Sequence, residues 1–264
     1  MKILIISDLH SNVEGVKAIW AQESDADAIY ASGDYVDYGT DPIATIDWLK
    51  AHNVHCVQGN HDEKLIKAWY EGTFNDLPPE KFDWVHHNCQ RMTQEYVDFL
   101  ETLPVHLSFE VDNVVYLMSH RSGEGYATIE SQYHFDKFWE EHCTIEVRPG
   151  MQRRMIFGHS HRQVIQQFAQ NALWFNPGSA SYRRPDEPSK DAFYAVVENG
   201  CISLRHVPYN RKPLYEEAVR VRPTMREAEW HVANFFFGWS EEDGPDTEWI
   251  ERKAAHQRKL ERQR

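Results

Sequence analysis

Four times in this chain a run of apolar residues ends in a short polar motif, and that punctuation constrains the fold more than any other feature. Asp8-Leu9-His10 follows Ile3-Leu4-Ile5-Ile6, and Gly33-Asp34-Tyr35-Val36-Asp37 follows Ala28-Ile29-Tyr30-Ala31. Gly59-Asn60-His61-Asp62 follows Val54-His55-Cys56-Val57, and Gly158-His159-Ser160-His161 follows Met155-Ile156-Phe157. Apolar runs of this length read as buried strands. A glycine or small turn followed by Asp, His or Asn is how an α/β protein builds a site beyond the carboxyl ends of its strands. The donors gathered this way are carboxylates, imidazoles and an amide, which suit transition-metal ions of intermediate hardness. Two such ions cancel the charge with which a phosphate ester repels nucleophiles, so phosphate-ester hydrolysis is the leading expectation.

The rest of the chain fits that frame. Strands are expected at Lys2–Ser7, Asp27–Ser32 and Val54–Gln58, with helices at Asn12–Gln22 and Asp41–His52 between them, the second with Pro42 in its first turn. Strands alternating with helices imply parallel strands and right-handed crossovers. Residues 63–104 change character: Lys64–Tyr70 is helical, Pro78-Pro79 breaks the chain, and Lys81–Leu100 reads as one or two helices. This helical insertion follows the third motif directly and is expected to overhang the site. A hairpin of Val105–Phe109 and Val114–Ser119 turns at Asp112-Asn113, and Gln132–His142 is helical. A second run of strands covers Met155–Phe157, Val164–Phe168, Leu173–Phe175, Ala192–Val197 and Ile202–Val207, the last two joined at Glu198-Asn199-Gly200. The expected division is one domain over residues 1–210 and a helical extension over 211–264. In the extension, Thr224-Met225-Arg226-Glu227 fits a capping box for a helix Met225–Phe237. Its aromatic face suits docking or a homo-oligomer, and 247–264 reads as a solvated basic helix.

Charge narrows the partners. With 28 basic against 41 acidic residues the net charge is −13, which argues against general nucleic-acid binding. An anionic substrate then needs a local cation, and bound metals can be the largest local charges in a site. The four cysteines form no CxxC pair and are too scattered for a disulfide framework, which suggests reduced thiols and a cytoplasmic protein. Asp8 interrupts the first apolar run too early for a signal peptide, and no segment reaches the ~20 apolar residues of a membrane span.

With the lone His120 added, the motifs run D-x-H, G-D-x-x-D, G-N-H-D, His, G-H-x-H in order. On these residues, across positions 1–205, the chain resembles a calcineurin-like metallophosphoesterase, and Asn176-Pro177-Gly178-Ser179 is similar to a loop of the small prokaryotic phosphodiesterase branch. The resemblance implies a two-sheet β-sandwich flanked by helices. It implies one metal on Asp8, His10, Asp34 and His161, and a second on Asp34, Asn60, His120 and His159, with Asp34 as the bridge. Two divalent or trivalent ions are expected, manganese first, with iron, nickel, cobalt and zinc also suited to these donors. A metal-bridging hydroxide would attack phosphorus, His61 would act on the leaving oxygen, and Asp37 would orient and charge His61. The spacing of His159 and His161 is read as i and i+2 on a strand, pointing the same way. Remaining histidines, His87 in the insertion included, are read as core or surface residues.

One departure matters. The protein-phosphatase branch carries Arg where this chain has Tyr38, which disfavours that activity; Arg121 beside His120 is the candidate replacement for substrate contact, with Tyr38 itself. The substrate expected is a small phosphodiester or nucleotide, dinucleoside polyphosphates included. Alternatives are a Ser/Thr-type protein phosphatase or phosphomonoesterase, and a non-catalytic scaffold of the same fold. That every ligand position and His61 are filled favours an enzyme.

Overall fold

The computed structural model describes residues 1–169, 171–181 and 189–229. Its first sheet has the order β10-β9-β1-β2-β3, built from β1 (Lys2–Ile6), β2 (Ala28–Ala31), β3 (His55–Cys56), β9 (Ala192–Glu198) and β10 (Cys201–Val207). The second has the order β4-β5-β6-β8-β7, from β4 (His106–Val111), β5 (Val114–Ser119), β6 (Gln152–Ile156), β7 (Val164–Gln167) and β8 (Ala172–Asn176). In the first sheet β1, β2 and β3 run parallel, and in the second so do β5, β6 and β8. Every motif therefore emerges from a parallel strand at its carboxyl end.

Side-chain alternation explains why the sheets stack. Ile3 and Ile5 face inward with Tyr30, Tyr116, Met118, Ile156 and Phe175, all buried between the sheets. Leu4 and Ile6 face outward onto helices α1 (Val13–Glu23) and α2 (Pro42–Ala51) through Val16, Ile19, Ile46 and Leu49. A strand buried on both faces reads as a continuous apolar run, and each such side chain contributes about 1.5–3 kcal/mol. The far side of the second sheet packs Val115, Leu117 and Met155 against Phe135 and Trp139 of α6 (Gln132–His142). The layers are helices, sheet, sheet, helix.

The stretch after the third motif forms α3 (Asn60–Glu71), α4 (Trp84–Arg91) and α5 (Gln94–Glu101). Leu65, Val85, Cys89, Val97 and Leu100 join the same outer core as α1 and α2. Both hairpin turns place two residues at positive φ, 50° and 63° at Asp112 and Asn113, and 50° and 78° at Asn199 and Gly200. These values suit a two-residue hairpin. The third strand is shorter than its apolar run: only His55 and Cys56 pair with β2, because Gln58 N–H then turns to the Pro104 carbonyl at 2.9 Å. Helix α7 (Lys212–Val221) packs Ala218 and Val221 on Phe82 and Trp84. The expected helix of residues 225–237 lies outside the described residues beyond Glu229, as does the basic segment 247–264. Among the described residues no helix is long and apolar enough to cross a membrane.

Buried Glu23 ties α1 to the first sheet. Its carboxylate accepts from Tyr194 Oη at 2.8 Å and Arg205 Nη1 at 2.7 Å, and Lys2 Nζ lies 2.9 Å away. Burial pushes the carboxyl up, but Lys2, Arg205 and Tyr194 outweigh it and hold it below its ordinary value. Its contribution is therefore present above the ordinary glutamate range and lost as pH falls through the depressed value. Glu23→Gln should lower unfolding free energy by about 1–3 kcal/mol at pH 7, with the gap narrowing below about pH 4. Urea melts at both pH values check this; a gap that is absent at pH 7, or undiminished in acid, would contradict it.

Candidate metal centre

The motif loops hold a backbone that side chains rarely adopt. Asp8, His10, Ser11, Asp34, Asp37, Tyr38, His159 and His161 all have positive φ, between 44° and 68°. Asp and His tolerate this region better than most residues, yet each such residue costs on the order of 1 kcal/mol. Hydrogen bonds between loops offset the strain. Asp8, His10 and Ser11 donate backbone N–H groups to the carbonyls of Gly33, Asp34 and Tyr35, at 3.0, 3.0 and 2.8 Å. Ser179 Oγ donates to the Asp8 carbonyl at 2.8 Å, and Asn176 Nδ2 to the Gly158 carbonyl at 2.6 Å. Two glycines permit the close approach: a Cβ at Gly59 would lie 2.3 Å from Asp34 N, and one at Gly158 2.1 Å from Ser7 Oγ.

These twists bring the acidic and imidazole donors into two groups. Ligand atoms of Asp8, His10, Asp34 and His161 lie within 4.8 Å of one another, and so do those of Asp34, His120 and His159. Asp34 belongs to both. Asn60 joins the second group, its Oδ1 3.0 Å from His120 Nε2. His159 and His161 do not lie on a strand, contrary to the expectation from their spacing. β6 ends at Ile156 and both histidines are left-handed, at 65° and 55°, so the chain's local twist sends them to different groups.

The donor set fits cations. Asp34 is buried, and its Oδ1 accepts from His61 N at 2.8 Å. Its Oδ2 is buried and receives no hydrogen bond of normal geometry, although His120 Nε2 stands 3.1 Å away and His10 and His61 Nε2 each 4.0 Å. His120 Nδ1 lies 2.7 Å from the Ser32 carbonyl, which fixes the proton there and turns the other lone pair toward Asp34 and Asn60. His10 and His161 point Nε2 at each other across 3.3 Å. His159 Nε2 lies 2.9 Å from the Gly125 carbonyl, a bond that leaves Nδ1 with the free lone pair. Lone pairs converging on one buried carboxylate oxygen call for positive charge. The same demand shows in His120: burial lowers it, but Asp34 outweighs burial and raises it to about 9. For His10, burial and the neighbouring His61 prevail and depress it to about 3.

Beside this cluster stands an acid–base pair. His61 Nδ1 is 2.8 Å from Asp37 Oδ2. Burial lowers His61, but Asp34 and Asp37 outweigh it and raise the imidazole above its ordinary value. Burial pushes Asp37 up, while His61 and Lys64 pull it well below the carboxylate range. The Tyr38 ring packs against His61 at 4.7 Å and His10 at 5.4 Å between centroids. Arg121 is half-exposed at the rim, 3.6 Å from Glu63. His87 is buried edge-on against Trp84, and burial depresses it to about 4.

Three further residues escaped the sequence reading. Lys64 donates to Asp37 Oδ2 at 2.7 Å and lies 5.4 Å from the Tyr38 ring centre. Its spacing of three from His61 on α3 was the available signal. Asp62 accepts from the backbone N–H of Asp34, Tyr35 and Gly59, at 3.0, 2.9 and 2.8 Å, so the fourth residue of that motif braces the second loop. Burial and Asp34 push Asp62 up to about 7. Asn88 of α4 is fully buried; its Oδ1 accepts from Ser11 Oγ at 2.5 Å and Asp37 N at 2.9 Å, and its Nδ2 donates to the Gly39 carbonyl at 2.8 Å. A polar residue on the apolar face shared by Val85, Cys89 and Met92 was its only mark.

Comparisons with known proteins agree with this geometry. Residues 1–199 match the family model described as the calcineurin-like phosphoesterase superfamily domain. An uncharacterized protein of Methanocaldococcus jannaschii is 24% identical over 255 residues, covering 89% of this chain and 98% of that one. Serine/threonine-protein phosphatase 2 of Escherichia coli is 24% identical over 201 residues, covering 69% of this chain and 89% of that one. The crystal structure of a metallophosphoesterase from Sphaerobacter thermophilus shares the fold with a TM-score of 0.64 at 18% identity, covering 88% of this chain and 98% of that one.

The bracing by α4 is open to test. Asn88→Ala leaves the Ser11 hydroxyl, the Asp37 N–H and the Gly39 carbonyl without their partner, and should cost about 2–3 kcal/mol of stability. Chemical denaturation measures it; a loss below about 0.5 kcal/mol would show that the loops hold without the helix.

Proposed function

The chain belongs to the calcineurin-like phosphoesterase superfamily, and on that footing we propose that it is a metal-dependent phosphodiesterase acting on a small diester or nucleotide, dinucleoside polyphosphates included. The observation that carries the reading is Asp34: one buried carboxylate shared by two donor groups, with an oxygen between them that receives no hydrogen bond of normal geometry and His61 beside it. Asp8, His10, Asp34 and His161 would hold one divalent cation, and Asp34, Asn60, His120 and His159 a second. When bound, the pair would neutralise the phosphate and make hydroxide available near neutral pH.

The remaining work falls to the protein. Water attacks phosphorus in line with the departing ester oxygen. The P–O bond to the leaving group breaks, and His61 gives that oxygen the proton on Nε2, which it regains from solvent as the attacking water releases one proton there. Asp37 fixes the other ring nitrogen at 2.8 Å, which sets the tautomer and aims Nε2 into the site. Lys64 shares Asp37 Oδ2 and would moderate the charge that Asp37 passes to His61. Tyr38 fills the ground beside His61 with a ring, which supports a small diester substrate over the phosphoprotein monoester that an arginine at this position would clamp. The likeness to the Escherichia coli phosphatase keeps a protein phosphatase as the second reading.

Asp34→Asn should lower kcat/KM on a diester by about a thousandfold or more, since it removes several kcal/mol of charge stabilisation. His61→Ala should lower kcat on a diester with an alkyl leaving group by about 10²–10⁴-fold, and far less on a p-nitrophenyl ester, whose leaving oxygen needs no proton. Steady-state kinetics on the two esters decides it. Equal losses on both would contradict the proton-donor role, and full activity in Asp34→Asn would contradict the metal-dependent reading.

A further inference from the structure

A cleft of about 300 Å³ opens beside the metal centre, and Asn60 and His120 form part of its wall. It lies between the carboxyl ends of β3 and β5, the start of β4, and α6. We infer that this cleft is the subsite for the ester group that stays on phosphorus during hydrolysis, and that it takes an uncharged aromatic group such as a nucleoside. The inference rests on the phosphodiesterase reading and adds to it the identity of the retained group.

Among the described residues His61 does not line the cleft. It sits on the other flank of Asp34, with its ring 5.0 Å from His10. A leaving oxygen directed at His61 therefore departs from the cleft, and a group reaching into the cleft past Asn60 and His120 is the one not expelled. Such a group exists in a diester and is missing in a monoester.

The far wall is made of rings: His106 and His142 stack at 4.0 Å with 22° between planes, and Phe138 meets His142 edge-on at 4.5 Å. Burial and the neighbouring His142 lower His106, which favours the neutral form of that ring. Val105, 52% exposed, lies in the same lining and offers apolar surface. Arg121 is the cation of the lining and is already 3.6 Å from Glu63; Glu124 adds a second carboxylate. Among the described residues no lysine lines it. Two carboxylates against one guanidinium repel additional phosphates, while rings and an exposed valine welcome a flat, neutral one. The volume matches the small end of small-molecule sites and holds one organic group, not a polypeptide segment.

Two substrates with the same leaving group isolate the effect: thymidine 5′-(p-nitrophenyl phosphate) and methyl p-nitrophenyl phosphate. In the full-length, metal-reconstituted protein the thymidylyl ester should have the higher kcat/KM. Val105→Asp, at an exposed position, should lower the thymidylyl-to-methyl ratio about tenfold, and Phe138→Ala should lower it in the same direction. Calorimetric titration gives a readout independent of turnover: Val105→Asp should weaken thymidine 5′-monophosphate more than inorganic phosphate. Turnover of both esters with a ratio unchanged by Val105→Asp, and unchanged binding of the monophosphate, would overturn the cleft assignment and leave the phosphodiesterase reading standing. No turnover of either ester by the wild-type protein would overturn both.

Discussion

The structure turns on one carboxylate oxygen. Asp34 is buried at the junction of the two donor groups, its Oδ1 held by the His61 backbone and its Oδ2 without a hydrogen bond. A buried carboxylate oxygen without a well-formed hydrogen bond is costly unless charge is brought to it. Around Oδ2 the chain brings His120, His10 and His61, each with a nitrogen within 4.0 Å. Burial opposes ionisation of Asp34, yet the surrounding imidazoles outweigh it and keep it ionised. The donors around it are mostly imidazole and amide: burial, and after it the Asp34 charge, already push Asp62 up to about 7, and more carboxylates would compound that repulsion.

That arrangement requires a strained backbone, and the strain explains much of the surrounding architecture. Eight residues of the motif loops sit at positive φ. They are kept there by contacts that none of the putting-together of ligands alone would demand: Asp62 gathers three N–H groups of the second and third loops, Asn88 reaches from α4 to the first and second, and Ser179 and Asn176 clamp the first and last. The helices after the third motif thus carry a job beyond filling the outer core, because one of them supplies the amide that fixes Ser11, Asp37 and Gly39. Strained functional loops on a well-packed frame are a common division of labour.

How much of this could be read in the sequence depended on whether the determinant was local. The strand runs ending at Asp8, Asp34 and His159 were legible because burial on both faces of a parallel strand leaves an apolar run. The Asp112-Asn113 and Asn199-Gly200 turns were legible because those residues tolerate the φ values a tight hairpin imposes. The length of β3 was not, since the competing carbonyl of Pro104 lies 46 residues from Gln58 in sequence, 104 against 58. Nor were the directions of His159 and His161, which follow a left-handed twist and not the strand before it. Lys64 and Asn88 act through partners that only tertiary packing supplies, and the ring wall of His106, Phe138 and His142 joins a strand to a helix that no local pattern links. The chemistry was written at strand ends; what shapes the space around it was not.

On the proposed reading Asp34 would be shared by two cations. Anomalous diffraction from crystals of this protein grown with Mn²⁺ tests it most directly. Two peaks about 3.5–4 Å apart are expected, one among Asp8, His10 and His161 and one among Asn60, His120 and His159, with Asp34 oxygens bonded to both. A single peak, or two peaks of which one lacks Asp34 as a ligand, would contradict it.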